Sequence, residues 1–445
     1  MKDARKLVAE WLRGRRRGYL IVGLLVLVTG AVGVARFAEH DSIAKHPAAD
    51  SAAADSAEIV RDSLAEAQAF RVEIPPAARP GVVKGLYLNA WAAGSTKRLE
   101  RLIGIANETE INTFVIDVKE GGEISYQSSV PLAVEIGASR EYVPNIRTVL
   151  RKLRDNGIYP IARIVVFKDP VLANARPDLA VKNPDGSQWV DNKGKAWVDS
   201  YNREVWDYNI AIAREAVALG FAEVQWDYVR FADAPRSYLA RAVYPAANGR
   251  TKSDAIREFL LYSRDKLKDV NVPITADVFG LTVTTTGDMG IGQQWEKMVD
   301  AVDVILPMVY PSHFISGNYG LSNPNAAPYR TLRRSMEDAV ARSKPVTSAA
   351  LIRPWLQAFT LGPPRYGPEH LRAQIQGTYD AGLKEWILWH PGSNYELYLP
   401  GLAPENGPEP VFTPPGAAPA VEAPKPDTVR VDTVRADTVR IDGTE

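Results

Sequence analysis

FAEVQWDYVRF, residues 221–231, carries two interleaved patterns. Glu223, Gln225 and Asp227 alternate with Val224, Trp226 and Tyr228. Successive side chains of a strand point to opposite faces, so the stretch predicts a strand with one polar and one apolar face. Its end is chemical, with Asp227, Tyr228 and Arg230 following the apolar run. In a closed parallel barrel the polar set faces inward and the active groups stand at the C-terminal strand ends, whereas Trp226, and likewise Trp386, belong to the core outside the sheet.

Working outward, apolar β-branched segments recur at 83–89, 112–118, 159–167, 222–229, 273–279, 303–310, 345–352 and 385–390. Helix-capable stretches lie between them at 96–106, 143–156, 203–218, 252–270, 293–302, 329–343 and 368–381. Eight β/α alternations over about 320 residues predict an α/β fold, a (β/α)8 TIM barrel. The other strands also turn chemical at their ends: Asp117, Lys119 and Glu120 on the second, Arg163 on the third, Asp277 on the fifth, Tyr310 and His313 at the sixth. Arg353-Pro354-Trp355 is expected to end the seventh, and Trp389 the eighth.

The 445 residues hold 53 basic and 53 acidic side chains, so no global positive field holds nucleic acid, and no nucleic-acid partner is expected. Cysteine is absent, which removes disulfides, thiolate nucleophiles and cysteine-bound metal. Five histidines form no HxH or HxxxH pair. No metal and no cofactor are expected.

The ends of the chain read differently. Residues 1–17 are strongly basic and 18–35 are uncharged, about 27 Å of helix at 1.5 Å per residue. That is long enough for a single-pass signal anchor, with the basic segment on the cytoplasmic side and the barrel outside. A cleaved signal peptide is the rival, with Gly33-Val34-Ala35 as its site; Arg16-Arg17 gives a weaker twin-arginine pattern. Residues 36–80 form an Ala-, Ser- and Asp-rich spacer, 81–401 the barrel, and 402–445 a Pro- and Ala-rich tail in which DTVR begins at Asp427, Asp432 and Asp437. The tail is a solvated segment or a handle for an envelope partner.

The site candidates follow from the alternation. Asp227 and Asp277 end adjacent strands at equal depth and form the leading carboxylate pair, with Asp117 as a third. Two carboxyls whose environments separate their proton affinities are the equipment for glycosidic bond cleavage. Arg163, on the strand beside Asp227, is expected within ion-pair reach of it, leaving Asp277 less well paired and able to hold a proton near neutral pH. Lys119 aligns with Asp117 and is expected inside the barrel. The substrate-binding set is Trp91, Lys119, Glu120, Arg163, Tyr228, Arg230, Tyr310, His313, Trp355 and Trp389, since sugar faces stack on aromatic rings. Trp189, Trp197 and Tyr201 are further rim aromatics, and the insert 168–201 is expected to hold a hairpin over the barrel mouth.

GLYLNAW at 85–91, FVIDVKE at 114–120, ARIVVFKD at 162–169, VQWDYVRF at 224–231 and ADVFG at 276–280 resemble a family of TIM-barrel glycoside hydrolase-like domains found in bacterial envelopes. The resemblance covers residues 82–400. It implies a (β/α)8 barrel, hydrolysis of a glycan, and Asp227 as catalytic carboxylate. The expected activity is cleavage of O-glycosidic bonds in an envelope or extracellular polysaccharide. Two alternatives use other chemistry: a membrane-tethered glycan-binding barrel without catalysis, and a metal-dependent deacetylase in which His313 and His390 converge on an acid.

Overall fold

The computed structural model describes residues 77–405 and 407–414. Eight parallel strands close on themselves: β1 (Lys84–Leu88), β2 (Thr113–Glu120), β3 (Tyr159–Val165), β4 (Glu223–Asp227), β5 (Ile274–Phe279), β6 (Val304–Val309), β7 (Leu351–Ile352, resuming as Trp355–Gln357) and β8 (Trp386–Trp389). Closure is made by β1, which pairs with β8 through Lys84–Trp386 and with β2 through Gly85–Thr113. The fold is the expected (β/α)8 barrel.

Its outer layer includes α1 (Thr96–Glu108), α2 (Ile146–Asp155), α3 (Arg203–Leu219), α4 (Lys252–Leu267), α5 (Pro328–Ser343) and α6 (Pro368–Asp380). The starts are set locally: Asn145, Asn202 and Thr251 side chains accept backbone N–H groups of α2, α3 and α4, and Pro opens α5 and α6. At the end of α3, Gly220 takes φ 118°, a conformation that only glycine adopts cheaply. The expected helix at 293–302 shrinks to Trp295–Met298.

The seventh strand differs most from expectation. Residues 345–350 are not strand, and the strand starts at Leu351 and runs past Arg353-Pro354 to Gln357. Leu351 pairs with Val304 and Trp355 with Met308, so one register continues through the proline, which lacks the N–H for a ladder bond. Arg353 therefore sits mid-strand near the barrel floor, not at the rim.

Two apolar groups make the core. The larger lies between sheet and helices and includes Trp226 and Trp386, both fully buried. The smaller, with Val115, Ile161, Leu306, Trp355 and Ile387, fills the barrel on the inward positions. Packing runs on past Gly401: Ala403 accepts from the Glu110 N–H, and Glu409 pairs with Arg372 at 2.7 Å. Among the described residues no helix is long and apolar enough to cross a membrane. The expected span at 18–35, the basic segment before it and the DTVR repeats lie outside the described residues.

Candidate active site

Arg163 projects from the middle of β3 into the barrel and gathers the acids around it. Its Nε and Nη2 both donate to Asp227 Oδ2, at 2.9 and 2.5 Å, and its Nη1 donates to Asp117 Oδ1 at 2.5 Å and Glu120 Oε2 at 2.7 Å. The expected ion pair with Asp227 is therefore present. Tyr87, inward on β1, donates its hydroxyl to Asp117 Oδ2 at 2.5 Å. Tyr87 was not among the sequence candidates, although alternation along GLYLNAW sets it on the inner face with Gly85 and Asn89.

Lys119 is a correction. A bulge at Val118 shifts the register, so that Asp117 pairs with Arg163 but Lys119 pairs with Ile164. The extra residue turns Lys119 out of the barrel, where it is fully buried behind the sheet against Asp169 Oδ2 (2.7 Å), Asn209 Oδ1 (2.8 Å) and the Val165 carbonyl (2.9 Å). It is a structural cation. The same bulge swings Glu120 onto the side of Arg163, with its carboxylate half-exposed.

Asp277 has a different environment. Val224–Ile274 register continues to bring Asp227 and Asp277 level on adjacent strands, which are spaced about 4.8 Å apart. Its carboxyl accepts from Trp355 Nε1 at 2.7 Å and from Gln225 Nε2 at 3.0 and 3.1 Å, all neutral donors. Burial, and then the charge of Asp227, push its pKa well above the usual carboxylate range. Gln225 Oε1 is buried with no partner. Rotation of that amide would let it accept a proton held on Asp277. Burial likewise raises Asp117, to about 6, against the pull of Arg163.

Asp227, Asp277 and Arg163 open into a cleft of about 510 Å³, a volume suited to a small organic ligand such as a sugar. Tyr228, Arg230, Tyr310, His313, Trp355 and Trp389 line it. Tyr310 stacks on Trp389 at 5.4 Å and 26°, and Phe359 meets Trp389 edge-on. Tyr228 reaches the cleft because its φ is 49°, a strained value for a bulky residue, which breaks the alternation directly after Asp227. Its N–H donates to Asp227 Oδ1 at 2.6 Å.

Other candidates lie elsewhere. Trp91 is 65% exposed and packs on Tyr142 at 4.5 Å, and it is not among the cleft-lining residues. Trp189, Trp197 and Tyr201 are buried; the Trp189 and Trp197 indoles donate to the Tyr238 carbonyl and to Asp191, so they hold the insert together. The insert forms short bridges at Lys182–Gln188 and Val190–Ala196, and the turn between the latter brings Lys193 to the cleft. Sequence reasoning missed Lys193, Phe279 and Asp233, which alternation cannot place because they lie at a strand end or in loops. Among the described residues no three His, Cys, Asp or Glu side chains are grouped to hold a metal.

Over residues 85–395 the chain matches the family model described as "Putative glycosyl hydrolase domain", and it belongs to that family. No curated protein matches it. Among solved structures, a hypothetical protein from Ruminiclostridium thermocellum is 42% identical over 43% of this chain and 97% of its own, with TM-score 0.40. The PgaB (BpsB) glycoside hydrolase domain from Bordetella bronchiseptica is 12% identical over 70% of this chain and 95% of its own, with TM-score 0.50, a likeness of fold. An alpha-galactosidase from Thermus thermophilus is 16% identical over 72% and 60%, with TM-score 0.42.

Proposed function

We propose that the chain is a glycosidase that hydrolyses O-glycosidic bonds of an envelope or extracellular polysaccharide, held at the outer face of the cytoplasmic membrane by residues 18–35. The observation that carries the reading is the split between two level carboxyls in one cleft. Asp227 is clamped by a guanidinium, while Asp277 meets only neutral donors and is pushed toward its protonated form. Asp277 is the acid that protonates the leaving oxygen. Asp227 is the nucleophile or base on the other side of the anomeric carbon, and Asp117 fixes Arg163, which orients Asp227. Tyr310 and Trp389 offer the stacking wall for a sugar ring.

The test is reducing-end release from a panel of bacterial polysaccharides by the purified full chain. Asp227→Asn and Asp277→Asn keep shape and remove the charge or the transferable proton, so each should lower release by about 10³-fold or more while the barrel stays folded. Glycan binding by all three proteins with cleavage by none would replace the glycosidase with a tethered glycan-binding barrel.

A further inference from the structure

Four arginines are buried among the described residues, and three of them meet carboxylates. Arg163 meets Asp117, Glu120 and Asp227; Arg353 meets Glu223 and Glu385; Arg372 meets Glu409. Arg230 is 8% exposed, lines the cleft beside Asp227, and has no carboxylate within ion-pair distance. Its Nη1 donates to the Phe231 carbonyl at 3.0 Å. Otherwise the guanidinium meets the neutral Tyr228 hydroxyl and packs against rings, 4.6 Å from Phe279, 4.7 Å from Tyr228 and 5.4 Å from Trp197.

A guanidinium has five N–H donors, and neutral rings with one hydroxyl neither fill them nor balance the charge. Asp227 and Asp233 attract the cation only from beyond ion-pair distance, and burying a guanidinium without a carboxylate in contact is costly, so the site favours an anion entering the cleft. The acids nearby do not fill that role. Asp227 Oδ2 is taken by Arg163, and Asp233 is exposed at the cleft wall without reaching Arg230. A second cation points into the same space: Asp191 Oδ1 accepts the backbone N–H groups of Lys193 and Lys195, holding a turn whose Lys193 lines the cleft.

We propose that Arg230, assisted by Lys193, forms an anion subsite beside Asp227, and that the glycan bound here carries an anionic substituent, a carboxylate, sulfate or phosphate, on the ring seated against Arg230. The placement of that ring next to the bond cleaved rests on the glycosidase reading; the recognition itself does not. Arg230 gives a forked pair of donors to a planar carboxylate or to two oxygens of a sulfate or phosphate.

The test is calorimetric binding to the full chain, with hydrolysis not read. The probes are oligosaccharides of galacturonate, glucuronate and mannuronate, and O-sulfated and O-phosphorylated oligosaccharides, each beside its neutral counterpart. At least one charged probe should bind about 10- to 100-fold more tightly than its counterpart, the worth of a charged hydrogen bond, and its class identifies the substituent. In Arg230→Gln that ratio should fall to near one. If glutamine unfolds the barrel, Arg230→Lys, which keeps the charge but not the fork, should still lower the ratio severalfold. Wild type without preference for any charged probe, or a preference undiminished in a folded Arg230 variant, overturns the subsite. Failure to cleave any glycan would count against the glycosidase and leave this result standing.

Discussion

The barrel interior holds two arginine clusters built from the same groups, one near its floor and one at its mouth. At the floor, Arg353 is fully buried and pairs with Glu223 at 2.6 Å and Glu385 at 2.9 Å, and Arg79 completes Glu385 from outside at 2.5 Å. Two cations meet two carboxylates. At the mouth, the guanidinium of Arg163 meets Asp117, Glu120 and Asp227, with Asp277 one strand further on and Arg230 lining the same cleft without an ion pair. No cation among the described residues reaches the Asp277 carboxyl there, and burial raises its affinity for a proton. Balance makes the floor a fastener. At the mouth the pairing is unequal, and the proposed division between a proton donor and a nucleophile rests on that inequality.

Removing each arginine in turn should separate the two clusters. Arg353→Met leaves Glu223 buried and unpaired and should cost about 3–5 kcal/mol in urea unfolding, a larger loss than any substitution at the mouth should cause. Arg163→Met should lower glycan release by about 10²-fold or more, yet cost less stability than Arg353→Met, because the carboxylates it leaves lie beside an open cleft that admits water. Equal stability losses, with activity per folded molecule unchanged in Arg163→Met, would erase the distinction.

Acidity sharpens it. Asp277 and Asp117 have raised pKa values in the folded chain, whereas an unfolded aspartate titrates near 3.9. Between the folded and unfolded values the folded state binds more protons, so stability falls as pH rises from about 4 through about 6 for Asp117, and Asp277 acts in the same direction. Asp277→Asn removes one such titration, and its amide can satisfy both Trp355 Nε1 and the unpartnered Gln225 Oε1. The variant should melt several degrees above wild type at pH 7, with the gap closing toward pH 4. Glu120→Gln should move the melting point least, since its half-exposed pair with Arg163 is screened by water.

Much of this was legible because period-two alternation is strict along a barrel strand. It set Glu223, Gln225 and Asp227 on one face, and it put Arg163 on the inner face of the neighbouring strand, level with Gln225 and within reach of Asp227. What it missed are the places where the backbone leaves the pattern. The bulge at Val118 exchanges Lys119 for Glu120, and the φ of 49° at Tyr228 turns that ring into the cleft. Arg353 was misplaced because Arg-Pro looks like a strand end, although the register runs through it. Lys193 arrives from a loop, and the burial of Trp189 and Trp197 depends on contacts within that insert.

The most direct test of the central claim is the protonation state of Asp277 itself. Carbon-13 NMR of the full chain, labelled at the aspartate side-chain carboxyls and compared with Asp277→Asn, reads it without a substrate. At pH 7 the wild type should show a resonance at the shift of a protonated carboxyl that the variant lacks. If the resonance lost in the variant is that of an ionised carboxylate at pH 7, Asp277 is not the stored acid, and the division of roles between Asp227 and Asp277 is contradicted.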